Sequence, residues 1–285
     1  LFFPDDCFPG YISSVFFGLA NSVSHETSLD YDVVHQLMKK YFQIEDSGIA
    51  SSILFFVQQT SEYNWSEDVL SIVIWLAHNH PDPQENTSRA HSSKDLERKT
   101  IRTLEGNAAN CVRGRALYTL ALLVHNHPEW LNQTRQTVVR ASVDANAAVR
   151  FALPDLASLF YPQDPAFSRE IIKSLIEKDL RIIGSKGFWY LLRQEFAKDP
   201  TYYRTLLIKG CQSEVDDIAE CAAGQLSATI LLFNDTILME WLQTHPLSHK
   251  QLEKVCKGAV DLFPKEEYRE KSEIIIRYCA QTDTE

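Results

Sequence analysis

The segment from Asn107 to Pro162 constrains the fold most, because the same plan occurs in it twice. A polar turn, a Val-Arg pair and a long apolar stretch follow one another at Val112-Arg113 and again at Val149-Arg150. Arg113 and Arg150 are 37 residues apart (150 − 113). Turns, helix starts and apolar helices that recur at about 35–47 residues are typical of helical-hairpin repeats of the HEAT type.

Helical periodicity of apolar residues continues along the rest of the chain, and no strand-like alternation persists. Prolines and polar turns divide the chain into helices of about 12–18 residues with short connections, which suits stacked antiparallel pairs. We therefore predict an all-α fold, an α-α superhelix of the HEAT or ARM type, in one elongated domain over residues 1–285. Helices are predicted near 11–24, 31–42, 46–56, 65–78, 95–105, 109–126, 128–142, 146–160, 165–178, 186–197, 200–211, 214–233, 235–244, 248–262 and 266–281.

One segment interrupts this pattern. Residues 81–94 read PDPQENTSRAHSSK, which is polar and has no apolar periodicity, so a long exposed loop is expected there. The chain begins Leu1-Phe2-Phe3 without Met, and we expect it to be a fragment of a larger protein.

The charge balance argues against nucleic acid as a partner. The formal net charge is −10, from 38 acidic and 28 basic side chains. A general nucleic-acid binder carries a basic excess, because its affinity rests on neutralising phosphates. No apolar run reaches the roughly 18 residues that a membrane-spanning helix needs. The six cysteines form no C-x-x-C pair and are interpreted as small buried thiols in a reducing, cytoplasmic setting.

No motif in this chain predicts catalysis or a cofactor. The Gly-rich phosphate loops G-x-x-x-x-G-K-[ST] and G-x-G-x-x-G and the nucleophile elbow G-x-S-x-G are all missing from the sequence. Acidic clusters such as Asp216-Asp217 and Glu266-Glu267 are read as solvated helix surface. We therefore expect a protein that is not an enzyme and that needs no cofactor.

Two His-Asn-His-Pro segments, at His78–Pro81 and His125–Pro128, have the composition of a metal site or a nuclease motif. Both follow an apolar helix. Residues i and i+2 of a helix point about 200° apart, so the two imidazoles of one segment would not converge on an ion. We predict helix C-termini at both places, with Asn able to adopt the left-handed conformation and Pro as the stop, and no metal.

Arg113 and Arg150 have a structural interpretation. An arginine at the start of one inner helix can reach a carboxylate in the turn of a neighbouring hairpin, for which Asp144 is the best candidate. Such an Arg–Asp ladder would fix the stacking register. A ligand-facing role for the two arginines is the alternative.

The densest aromatic segment is Phe188-Trp189-Tyr190, followed by Arg193 and Phe196. On a helix, Trp189, Arg193 and Phe196 share one face. Trp, Tyr and Arg are over-represented at binding hot spots, so these three residues are the predicted partner-binding site. Packing in the core is the alternative, because large aromatic side chains mostly bury.

The order of elements resembles the C-terminal helical-repeat regions of large bacterial signal-transduction ATPases of the STAND class, the NLR-like proteins. The segments that carry this resemblance lie within residues 107–232 and read VRGRALYTLALLVHNHPEW, DANAAVRFALPDLASLF, FWYLLRQEFAKDPTYYRTLLIKGCQS and IAECAAGQLSATILL. The resemblance implies a repeat array that follows a P-loop ATPase and senses a trigger, in defence systems often a viral protein. It implies no catalytic residue in this chain.

The sequence thus predicts a scaffold that recognises a protein or peptide, and the resemblance points to the sensor array of a larger signalling or defence ATPase. The alternative is a HEAT-like nucleic-acid-binding or DNA-repair enzyme. That alternative would need a basic concave groove, against which the acidic balance argues.

Overall fold

The computed structural model describes residues 9–23, 30–83 and 100–282. Helices, α and 3-10 together, cover 81% of these residues, and no strand occurs among them. The predicted all-α fold is confirmed. The α-helices are α1 (Pro9–Ser22), α2 (Tyr31–Tyr41), α3 (Ser47–Gln59), α4 (Glu67–Asn79), α5 (Ile101–Asn110), α6 (Val112–Asn126), α7 (Arg135–Ser142), α8 (Ala147–Ser158), α9 (Pro165–Lys178), α10 (Lys186–Glu195), α11 (Pro200–Cys211), α12 (Asp216–Phe233), α13 (Thr236–Thr244), α14 (His249–Leu262) and α15 (Arg269–Thr282).

Within the described ranges, 3-10 helices at Pro128–Thr134, Leu180–Gly184 and Glu266–Tyr268 connect some of these elements. The helix predicted over 128–142 is therefore 3-10 in its first half. The helix predicted over 95–105 overlaps α5 only in 101–105, and 95–99 lie outside the described residues. The predicted polar turn from Asn107 was wrong, because α5 continues to Asn110.

The chain divides into two compact units. The described residues within Leu1–Arg98 and Thr103–Leu175 form the N-terminal unit, and those within Lys99–Arg102 and Ile176–Glu285 form the C-terminal unit. The single elongated domain over residues 1–285 stays a prediction.

Seven helices of the described part of the N-terminal unit pack in two layers. In one layer α1 packs on α3, α3 on α6, and α6 on α8. In the other layer α2 contacts α4, and α4 contacts α7. Contacts of α4 with α6 and of α7 with α8 join the layers. These helices bury apolar side chains against one another.

Short polar side chains set many of the helix starts. Helix α3 is capped by Asp46, whose carboxylate accepts a hydrogen bond from the Ile49 N–H at 2.9 Å. Such caps satisfy backbone N–H groups that have no partner within the helix. Side-chain caps of the same kind are made by Asp30, Asn146, Ser185, Asp199, Asp235 and Ser248.

In the C-terminal unit, α12 is the central helix. It contacts the 3-10 helix 180–184, α11, α13 and α14, and α14 in turn packs on α15. Small residues let α12 and α14 approach closely. A Cβ added at Gly258 would lie 3.3 Å from the Gly224 carbonyl oxygen, and the Ser227 hydroxyl donates to the Val255 carbonyl at 2.9 Å.

The predicted helix C-termini at the two His-Asn-His-Pro segments are confirmed. Helix α4 ends at Asn79 and α6 ends at Asn126. The left-handed conformation expected at these asparagines was wrong. Among the described non-glycine residues, a positive φ occurs at Asn234, which ends α12. His80 and His127 leave the two helices in extended or intermediate geometry, which lets the chain run on into the proline.

Pro81, Asp82 and Pro83 are described and form no regular structure. The rest of the predicted loop, residues 84–94, lies outside the described residues.

Candidate functional site

Helix α10 presents an aromatic and a cationic side chain on its outer face. It begins after Ser185, whose hydroxyl accepts from the Phe188 N–H at 3.2 Å. Phe188, Leu191 and Leu192 form its buried side. The opposite side carries Arg193, which is exposed, and Tyr190, which is 37% exposed.

The structure separates the three residues predicted to bind a partner. Arg193 is exposed and Trp189 is half-buried. Phe196 is 2% exposed, and its ring centroid lies 4.7 Å from that of Phe233. Phe196 follows Leu192 by one helical turn, so it extends the buried side of α10 and belongs to the core. A partner-binding role remains a prediction for Trp189 and Arg193.

Arg193 on this face interacts electrostatically with Tyr268 of the 3-10 helix 266–268. Hydrogen bonding to Glu267 and the charge of Glu267 raise the pKa of the Tyr268 hydroxyl, and the Arg193 guanidinium is near enough to oppose that shift. We call this set, namely Trp189, Tyr190, Arg193, Glu267 and Tyr268, the α10 surface. Its exposed member Tyr190 belongs to the aromatic segment of the sequence but is not one of the predicted site residues.

The three residues of the predicted Arg–Asp ladder lie together. The Arg113 guanidinium donates to Asp144 Oδ1 at 3.2 Å and to the His80 carbonyl at 3.1 Å. The Arg150 guanidinium donates to the carbonyls of Asp144 at 2.6 Å and Ala145 at 2.9 Å.

Arg113 contacts a turn that is distant along the chain, whereas Arg150 contacts a turn next to its own helix. Arg113 is near the start of α6 and reaches a turn 31 residues further along the chain. Arg150 lies in α8 and contacts the turn just before its own helix. The Asp144 carboxylate also accepts from the Asn146 N–H at 2.8 Å, so it organises the turn before α8 as well as holding Arg113.

Two further contacts of the Arg113–Asp144 kind were not foreseen from the sequence. Arg135 donates to Asp164 at 2.8 Å over 29 residues, and Arg204 donates to Asp235 at 2.7 Å over 31 residues. Both aspartates also cap the helix that follows them, α9 and α13. The signal in the sequence is an arginine in one helix followed about 30 residues later by an aspartate in a turn.

Replacement of Asp144 by Ala should destabilise the N-terminal unit by more than the about 0–1 kcal/mol of an exposed ion pair, because Arg113 would be left without its carboxylate in a partly buried place. Thermal melting of the variant measures this. Asp68→Ala, which removes the exposed partner of Lys39, is the control and should stay within about 1 kcal/mol. An unchanged melting temperature for Asp144→Ala would count against a stabilising ladder.

In the first His-Asn-His segment, the second histidine is buried. His80 is 2% exposed, and its Nδ1 accepts from the Asp82 N–H at 3.1 Å. The Nε2 atoms of His78 and His80 are buried without a hydrogen-bond partner. In the part of the chain that the structure describes, no group of three or more His, Cys, Asp or Glu side chains is arranged to hold a metal ion. The expectation of a metal-free protein stays a prediction.

The burial of His80 predicts a pH dependence. Burial, opposed by the charge of Asp82, lowers the pKa of His80 below its ordinary value of about 6.5. The unfolded state then binds the proton more readily than the folded state does. The contribution of neutral His80 to the stability of the fold is therefore complete above about pH 6.5 and is lost as the pH falls through the folded-state pKa. Between about pH 7.5 and pH 5.5 the wild type should lose stability in urea unfolding.

His80→Gln should show a smaller loss over the same range, since its amide oxygen can accept the Asp82 N–H without titrating. The exposed His245, replaced by Gln, is the control and should behave as the wild type. Equal pH dependence in His80→Gln and the wild type would contradict the assignment.

The cysteines with resolved shifts are poor candidates for nucleophilic chemistry. Burial raises the pKa of the Cys111 and Cys221 thiols to about 11 and that of Cys211 to about 12. The thiolate is the reactive form, and these groups are protonated near neutral pH.

Comparisons with models of protein families, with curated proteins and with solved structures returned no match to this chain. None of the helices within the described ranges combines the length and hydrophobicity that crossing a bilayer requires.

Proposed function

We propose that this protein is a recognition scaffold that binds a protein or peptide through the α10 surface. The observation that carries the proposal is the exposure of Tyr190 and Arg193 beside the half-buried Trp189 on a helix whose other side is fixed in the core. Rigid aromatic side chains and arginine are the residue types that contribute most to protein interfaces.

The chemistry of the surface limits the partner. Trp189 and Tyr190 supply apolar contact area with few rotatable bonds, which keeps the entropic cost of binding low. Arg193 can hold a carboxylate through two parallel hydrogen bonds. The expected partner segment therefore places an acidic residue next to an apolar one.

The acidic character of the chain favours a protein partner over nucleic acid. With a net charge of −10, the chain as a whole repels a phosphate backbone. The HEAT-like nucleic-acid enzyme remains the competing function, and double-stranded DNA is the probe that separates the two.

The wider role that we propose is the sensor array of a larger signalling or defence ATPase in the cytoplasm. The support is the order of the helices within 107–232, which resembles those arrays, and the stacked helical layers of the N-terminal unit. The free thiols of Cys111, Cys211, Cys221, Cys256 and Cys279 are in keeping with a reducing compartment.

Arg193→Ala should weaken binding of the captured partner by at least about 2 kcal/mol without lowering the melting temperature, because the side chain is exposed. Affinity capture on the wild type identifies the partner, and isothermal titration then compares the variants. Trp189→Ala should weaken binding as well. Lys186→Ala, an exposed cation at the start of the same helix, is the control and should bind as the wild type does.

Two results would reject this site. One is full binding by Arg193→Ala together with loss of folding in Trp189→Ala, which would place Trp189 in the core with a cost of about 3–5 kcal/mol. The other is tight binding of double-stranded DNA by the wild type with no captured protein.

A further inference from the structure

An apolar groove of about 410 Å³ runs between α14 and α15 in the C-terminal unit. Leu252 and Cys279 are buried at its floor. Cys256 and Ile276 are half-buried along its walls, and Val260 is 50% exposed at its edge. We call this feature the α14–α15 groove.

The residues that α14 contributes to the groove have the spacing of a helix-packing face. They recur at i, i+3, i+4, i+7, i+8 and i+11, and they are His249, Leu252, Glu253, Cys256, Lys257 and Val260. At 1.5 Å per residue this face is about 16 Å long, or three helical turns. A helix of three turns is therefore the length of ligand that this face can contact along its whole extent.

The C-terminal unit covers the equivalent side of α12 with a helix. Helix α14 lies on α12, with Val255 and Ala259 buried and with the Val255 carbonyl bonded to Ser227. The series of contacts runs from the 3-10 helix 180–184 to α12 and then to α14. The α14–α15 groove continues this series on the next face of α14, which no described helix other than α15 borders.

Charged groups border the apolar floor. Glu253 and Lys257 line the groove, and both are exposed. An apolar centre with a charged rim is the usual composition of a helix-binding groove. The ammonium group of Lys257 can pair with a carboxylate of a bound ligand, and the Glu253 carboxylate one turn earlier can pair with a cation.

We propose that the α14–α15 groove binds one amphipathic helix of a partner protein, about three turns long. Its apolar residues face Leu252, Cys256 and Val260, and a carboxylate at its edge faces Lys257. This binding mode is independent of the α10 surface, since the two involve different residues.

The test uses a fluorescein-labelled, lactam-stapled helical peptide with leucines at heptad a and d positions and glutamates beside them, measured by fluorescence anisotropy on the full chain. The wild type should bind it. Val260→Glu should bind at least about tenfold more weakly, because it places a charge in the groove. Ile274→Glu is the matched control. Ile274 is 45% exposed on α15 but does not line the groove, so that variant should bind as the wild type does.

A charge exchange tests the role of Lys257. Lys257→Glu should weaken binding of the glutamate peptide, and a peptide with lysines at those positions should recover it. Melting curves establish that each variant is folded.

Several outcomes would overturn the proposal. They are failure of the wild type to bind the peptide, equal weakening by Val260→Glu and Ile274→Glu, and no recovery in the charge exchange. Binding of oleate without binding of the peptide would assign the groove to an acyl chain. Self-association that Val260→Glu abolishes in sedimentation velocity would assign it to a second copy of this chain.

Discussion

Asp235→Ala should destabilise the C-terminal unit by about 3–5 kcal/mol, the largest effect that we expect for a single substitution. The Asp235 side chain is 3% exposed and accepts from Arg204 Nε at 2.9 Å and from Arg204 Nη2 at 2.7 Å. It also accepts from the Leu238 N–H at 2.8 Å, which caps α13. The substitution removes the cap and leaves the partly buried guanidinium without its carboxylate.

Urea unfolding measures the effect, and the same unit supplies a matched control. Glu273 and Arg277 form an exposed pair on α15 at 2.5 Å, so Glu273→Ala should cost no more than about 0.5 kcal/mol. Asp235→Asn should fall between the two, because the amide keeps an oxygen for the cap and loses the charge. Equal costs for Asp235→Ala and Glu273→Ala would show that burial of this pair is not what stabilises the unit.

Gly114→Ala should destabilise the N-terminal unit by about 2–3 kcal/mol, although alanine is ordinarily the better helix former by about 1 kcal/mol. A Cβ at this position would lie 2.4 Å from the Ala108 carbonyl oxygen and 2.9 Å from Cys111 Sγ. The Ala108 oxygen belongs to the backbone of α5, so the corner between α5 and α6 would have to open. Glycine is required here because the two helices approach so closely.

Gly106→Ala is the control for this prediction. Gly106 lies in α5, and an added Cβ meets nothing within 4 Å, so the substitution should stabilise the protein by about 0.5–1 kcal/mol. Thermal melting of both variants gives the comparison. A stabilised Gly114→Ala would contradict the close approach of α5 and α6.

The helices could be predicted from the sequence because their signals are local. Apolar periodicity, the Asp46 cap and the prolines that follow His80 and His127 act within a few residues of the helix that they define. Predicted boundaries such as 165–178 and 200–211 coincide with the observed helices.

The side-chain contacts between helices could be predicted only in part. Arg113 and Asp144 stood out because the Val-Arg pair recurs next to an apolar helix. No recurring sequence pattern of this kind surrounds Arg204 and Asp235. Their contact depends on how α11 packs beside the turn before α13.

The candidate surfaces were the least predictable from the sequence. A helical projection places Phe196 with Trp189 and Arg193, but packing against Phe233 buries it. The α14–α15 groove likewise depends on which face of α14 is covered by α12. Exposure is a property of the packed structure, and a one-dimensional pattern assigns it only approximately.

The most direct test of the proposed recognition function is site-specific photo-crosslinking in cells, with p-benzoylphenylalanine in place of Tyr190. Ile237, which is 52% exposed in the same unit, is the control position for the same label. The account predicts a crosslink from position 190 to one defined protein, lost with Arg193→Ala, and no such crosslink from position 237. Crosslinks from position 190 to nucleic acid, or equal crosslinking from both positions, would contradict it.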